Sequence, residues 1–236
     1  MSPEEFSQEG APKSALEAHP GAFVVVEVGG KGGPGRADES LLNQFEFPEG
    51  EKAYYYNLER NERHLAIPAK DGAPPHESRQ VDLTDASFLE NDYFKGSADR
   101  FVVFNVLSIA GVRLEPYKDG TAPSEAEAAA HMVRAYEIIL KKIGESLKAE
   151  GKAFIGEWIT PDILPELRSI DFAALGLKAE FVTCRNRQDE SARARLRELF
   201  ADLRISRRKQ ADLLIQFDKS MQEGETPFLL VLSRAA

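Results

Sequence analysis

The chain has 236 residues, 42% of them apolar, and carries 30 basic against 39 acidic side chains, a formal net charge of −9. That length closes a sizeable core and suits a single domain, and its glycines and prolines are scattered rather than periodic, which excludes a fibrous chain. The acidic balance argues against a nucleic-acid coat or a polybasic membrane anchor, since both need surplus Lys and Arg against phosphate. The single cysteine, Cys184, excludes an intramolecular disulfide framework and a thiolate-rich zinc site.

Residues 1–20 are acidic, are broken by Pro3, Pro12 and Pro20, and read as an N-terminal extension lacking the basic start and apolar run of a secretory signal. The longest apolar stretches, at 24–28 and 101–110, fall well short of the roughly 20 residues that cross a bilayer. The expectation is a soluble, cytoplasmic protein.

From residue 21 onward, strand-like and helix-like runs alternate, as in an α/β fold built on a mostly parallel sheet. Residues 22–28 are apolar and β-branched on both faces, which suits a central strand. A glycine-rich loop at 29–35 follows, then a short helix at 40–45. Residues 53–58 form the second strand, 60–66 a helical turn, and the short polar run 80–83 a third strand near an edge. Thr84 or Asp85 caps a helix reaching to about Phe94, and 101–107 reads as a buried strand. Ser124 and Glu127 form a capping box for a long helix, with Met132, Tyr136, Ile139, Ile143 and Leu147 at helical spacing and Gly151 at its stop. Strand 152–158, a helix opened by Pro161 and ended at Gly176, and strands 178–184 and 227–232 complete the pattern. Between the last two strands, 185–225 reads as a helical insertion with one stripe at Leu196, Leu199, Phe200 and Leu203 and another at Leu213, Leu214, Phe217 and Met221.

The loop Gly29-Gly30-Lys31-Gly32-Gly33-Pro34-Gly35 admits close backbone approach to a ligand at the end of the first strand. It is not a P-loop, because Lys31 is followed by Gly32 and no hydroxyl stands by for magnesium. Gly30 to Gly35 matches the dinucleotide pattern G-x-G-x-x-G by letter, with Glu59 at the distance of a ribose-binding acid. Glu27, one spacer and Gly29 give a third reading, a strand-end acid leading into a glycine turn. A turn with no ligand also fits the loop taken alone.

The order of segments resembles class I S-adenosylmethionine-dependent methyltransferases, over about residues 20–184 and 226–234. The resemblance implies a seven-stranded Rossmann-like sheet, mostly parallel with an antiparallel last strand and helices on both faces. It places Glu27, Gly29 and Gly32 around the methionine end of S-adenosylmethionine, Glu59 at the ribose with Asn57 in the alternative slot, and Asp82 with Leu83 at the adenine. Asn105 closes the fourth strand beside the cofactor. Lys31 departs from the small residue usual there, and Gly33-Pro34-Gly35 lengthens the loop. The Asn105 segment lacks the Pro-Pro-aromatic continuation of enzymes that methylate amino groups of nucleobases or glutamine.

Each of these residues also has a bland reading: Asp82 and Asp85 as helix caps, Glu59 as a solvated charge. His131, near the start of the long helix, is the candidate general base. Glu157 and Trp158 end the fifth strand, where α/β sheets bind ligands. His19, His64, His76 and His131 share no helix face, so no metal site is expected. Nine basic residues against four acidic ones between 185 and 209 make one basic island, suited to an anionic substrate or to a solvated helix pair. The resulting expectation is methyl transfer to a small-molecule or protein acceptor. The alternatives are an inactive binding module of the same fold and a nicotinamide-dependent oxidoreductase.

Overall fold

The computed structural model describes residues 14–29, 40–67, 69–107, 124–158, 163–184, 186 and 188–235. Seven strands, β1 Phe23–Val28, β2 Ala53–Glu59, β3 His76–Gln80, β4 Ala98–Phe104, β5 Leu147–Glu157, β6 Leu177–Thr183 and β7 Phe228–Arg234, form one sheet in the order β3-β2-β1-β4-β5-β7-β6. The first six run in one direction and β7 pairs antiparallel with both β5 and β6. This is the mostly parallel sheet with an antiparallel last strand that the sequence predicts. The order reverses between β1 and β4, which puts the switch point of the sheet at the carboxyl ends of those two strands, where open α/β sheets bind ligands.

Side chains alternate across the sheet, so the consecutive valines of β1 serve two cores. Val24, Val26 and Val28 face a layer made by α1 (Ala15–Ala18), α2 (Ala86–Leu89), α3 (Glu125–Ser146) and α4 (Leu164–Arg168). Tyr136, Ile139, Leu140 and Ile143 form the buried stripe of α3, at the spacing the sequence shows. Val25, Tyr55, Val102 and Phe154 face the opposite layer.

That second layer comes from late in the chain. Among the described residues, the β1–β2 and β2–β3 connections hold only 3-10 turns, Leu41–Asn43 and Glu62–His64. The sheet face is covered instead by α5 (Glu190–Asp202) and α6 (Arg207–Gln222), from the segment between β6 and β7, through Leu196, Leu199, Phe200, Leu213, Leu214 and Phe217. Paired backbone bonds, Glu46 to the Arg204 carbonyl and Ser206 to the Gln44 carbonyl, both 2.7 Å, bind the α5–α6 corner to the early chain. Asp202 receives Arg100 of β4 at 2.7 Å and Lys152 of β5 at 2.6 Å.

Several boundaries differ from the sequence reading. The third strand is His76–Gln80 rather than 80–83, because an edge strand parallel to β2 needs backbone pairing more than apolar side chains, and its half-exposed residues gave no apolar signal. α2 ends at Leu89, capped by Asp85. β4 stops at Phe104, where Asn105 turns the chain at a φ of 55°. α3 ends at Ser146, not Gly151; Gly151 lies in a bulge of β5, where a Cβ would collide with the Ala98 carbonyl oxygen of β4. Pro161 lies outside the described residues, and the following helix carries Pro165 in its first turn and ends at Arg168. Gly176, at a φ of 71°, is the turn into β6.

Candidate functional site

Glu27 is the last inward-facing residue of β1 but one, and alternation brings it out on the same face as Val25, beneath α6. It is buried, and its carboxylate accepts from the hydroxyl of Tyr55 on the neighbouring strand. Burial pushes the Glu27 carboxyl up to about 7, against the Tyr55 hydrogen bond and the charge of Lys209, which favour ionisation. Burial and the adjoining carboxyl raise the Tyr55 phenol well above its ordinary range. Two residues on, Gly29 has a φ of 72° and donates its N–H to the Leu58 carbonyl at 2.9 Å. A Cβ there would lie 2.5 Å from Val106 Cγ2, so glycine is required both by conformation and by close approach. Gly32 and Lys31 lie outside the described residues.

Asn57 pairs in register with Glu27 across β1 and β2. It is buried; its amide donates to Ser78 Oγ at 3.4 Å, and its Oδ1 has no partner among the described residues. Glu59 ends β2, half-buried, and accepts from the Asn61 N–H at 2.8 Å. Asp82 stands two residues past β3, accepting at Oδ1 from the Thr84 N–H at 3.0 Å and the Thr84 hydroxyl at 2.7 Å. The helix cap is Asp85, so Asp82 shapes the turn at the strand end and not the cap itself. The side chain of Leu83 is buried in the α3 layer, which leaves its backbone as the part near the sheet edge. Asn105 ties β4 to β5: its N–H donates to the Gly156 carbonyl at 2.8 Å and its Oδ1 accepts from the Trp158 N–H at 2.9 Å.

Glu27, Gly29 and Asn105 meet at one cavity of about 70 Å³, completed by Trp158 just past β5 and by Lys209, Leu213 and Gln216 from α6. Trp158 folds back against Phe104 and Phe217, with ring centroids 5.0 and 5.6 Å away, and its indole N–H has no acceptor among the described residues. The Cβ of any larger residue at Gly156 would strike that indole. Glu59 and Asp82 line the same sheet edge, one and two strands away.

His131 is not part of this cavity. It is half-buried on α3, in the layer on the other face of the sheet, one turn after Glu127. The Glu127 carboxyl is held below its ordinary range chiefly by hydrogen bonds from Ser124, within the capping box the sequence shows. In that layer Glu157, at the end of β5, is buried and accepts from the Leu107 N–H at 2.7 Å. The buried hydroxyl of Tyr136 lacks a partner among the described residues, and burial with the nearby carboxylates of Glu157 and Glu166 raises its phenol. The sheet edge therefore has polar groups on both sides, with acids and Tyr136 beside α3 and Glu27 with Lys209 beneath α6.

The sequence reading places Lys209 within the basic island and Tyr136 on the apolar stripe of the long helix, and it assigns neither Tyr55 nor Gln216 to the site. Tyr55 carries a signal in hindsight, since it sits on the face shared by Val25 and Glu27. Lys209 carries the signal of the basic island, but only the docking of α6 shows that it lies over Glu27. Among the described residues no three His, Cys, Asp or Glu side chains gather as a metal site, and no helix is long and apolar enough to cross a membrane.

No protein-family model and no curated protein sequence matches the chain. Among solved structures, loganic acid methyltransferase with S-adenosylhomocysteine superposes with a TM-score of 0.51 at 10% identity, over 99% of this chain and 89% of that one. An antibiotic-related methyltransferase gives 0.45 at 12% identity, over 93% and 92% of the two chains. The carbon methyltransferase CurJ gives 0.49 at 9% identity over 92% of this chain, which spans 50% of that protein's length. At these identities the likeness is one of fold: the chain has the Rossmann-like sheet of the class I methyltransferases.

Proposed function

We propose that the chain binds S-adenosylmethionine along the carboxyl ends of β1, β2 and β3 and transfers its methyl group to a small-molecule or protein acceptor. The observation that carries this reading is the placement of Glu27 and Gly29 at one cavity, with Glu59 and Asp82 at the same ends of the next two strands. The residues fit the cofactor chemically: Glu27 and the unpartnered Asn57 Oδ1 are acceptors, and the cofactor is rich in N–H and O–H donors.

Bound there, S-adenosylmethionine supplies a methyl group on a cationic sulfur. Glu27 would accept from the ammonium of the methionine end, Glu59 from the ribose hydroxyls, and Asp82, with the backbone of Leu83, would meet the adenine amino group. Gly29 would let the main chain approach the cofactor, and Asn105 holds the β4–β5 edge together beside the cavity. Methyl transfer needs in-line approach and exclusion of water more than a set of charged catalysts, so orientation by these groups supplies most of the acceleration. His131, on α3 in the other layer, is the residue we assign to take a proton from an acceptor that carries one.

Calorimetric titration tests the reading. S-adenosylhomocysteine is expected to bind saturably at one site per chain, and NAD to give no heat. Absence of heat with both S-adenosylmethionine and S-adenosylhomocysteine overturns the reading, and saturable NAD binding replaces it with the oxidoreductase alternative.

A further inference from the structure

The cavity beneath α6 has walls of opposite charge. Glu27 stands on the sheet side, and Lys209 faces it from α6 together with Leu213 and Gln216. Positions 209, 213 and 216 are spaced at i, i+4 and i+7, so they share one face of the helix. That face is held in place. Leu213 and Phe217 are buried in the second core, and Ser206 caps the helix by accepting from the Lys209 N–H at 3.2 Å. The donor-bearing side chains that α6 brings to this cavity are the Lys209 ammonium and the Gln216 amide. The carboxyl acceptor facing them is Glu27.

A purely anionic ligand would meet Glu27 with repulsion, and a purely cationic one would meet Lys209. A zwitterion matches both walls. We propose that Lys209 binds the α-carboxylate of the amino-acid head whose ammonium lies at Glu27, so that the segment between β6 and β7 supplies half of the head-group site. This rests on the cofactor reading above and assigns a role to a residue outside the strand-end motifs. α6 is thus both cover for the sheet and a wall of the binding site, and the basic character of the 185–209 segment acquires one specific use.

The test compares two nucleosides by calorimetry: S-adenosylhomocysteine, which has the amino-acid head, and 5′-methylthioadenosine, which lacks it. Lys209→Ala is expected to weaken S-adenosylhomocysteine about 10- to 100-fold, the loss of a charge-assisted hydrogen bond, and to leave 5′-methylthioadenosine unchanged. Lys209→Arg is expected to retain most of the affinity. Lys209 is half-buried at the start of the helix, so Lys209→Gln, which keeps the length of the stem, serves as a second neutral variant and is expected to behave as Lys209→Ala. Equal weakening of both ligands, or undiminished S-adenosylhomocysteine binding, overturns the assignment. Wild-type binding of 5′-methylthioadenosine without S-adenosylhomocysteine overturns the head-group site and leaves the nucleoside site standing. If the wild type binds neither, the cofactor reading falls and this one falls with it.

Discussion

A carboxyl buried at the end of a central strand is costly unless something requires it there. Glu27 is such a group, held by Tyr55 and raised by burial to about 7 from an ordinary value of 4.5. Between those two pH values the folded chain retains a proton that the unfolded chain releases, so stability falls as pH rises from about 4.5 to about 7 and is level above. The groups acting on it are Tyr55 from β2, Lys209 from α6 and Glu59 at the β2 end. Glu27→Gln removes the titration. Urea unfolding at several pH values is expected to show the variant gaining about 3 kcal/mol relative to wild type between pH 4.5 and pH 8, from the size of the shift. Parallel stability profiles for the two proteins would contradict this. Glu27 and Gly29 were legible because a strand-end acid and a glycine turn sit next to each other in the chain. That Tyr55 and Lys209 meet Glu27 was not legible, because each reaches it only through tertiary register.

At the scale of elements, the strongly periodic or continuously apolar segments were legible and the irregular ones were not. β1, α3 and β7 stand close to where their sequence puts them, since burial on two faces or along one stripe leaves a strong pattern. β3 reads in the sequence as a short polar edge strand but at 80–83 instead of His76–Gln80, and the end of α3 was misplaced because Gly151 reads as a helix stop. Its actual task is close approach: the bulge of β5 sets it against the Ala98 carbonyl of β4, a backbone atom that cannot swing aside. Gly151→Ala is accordingly expected to destabilise the fold by about 1–3 kcal/mol, the range for a forced overlap in a packed interior. Its urea midpoint should drop accordingly. An unchanged midpoint would mean that the bulge accommodates a side chain.

For the whole molecule, the succession of strands and helices indicated a mostly parallel α/β sheet, and the antiparallel last strand was implied by the family resemblance that this succession carries. The source of the second helical layer was not legible. With 3-10 turns where β1–β2 and β2–β3 helices would otherwise lie among the described residues, α5 and α6 cover Val25, Tyr55, Val102 and Phe154 and close the cavity over Glu27. No periodicity in the 185–225 segment states which face it will cover. The most direct measurement of the central claim is a crystal structure of the chain with S-adenosylhomocysteine. The account predicts the adenine at Asp82, the ribose at Glu59 and the amino-acid head between Glu27 and Lys209. A nucleoside bound away from the carboxyl ends of β1, β2 and β3 would contradict it.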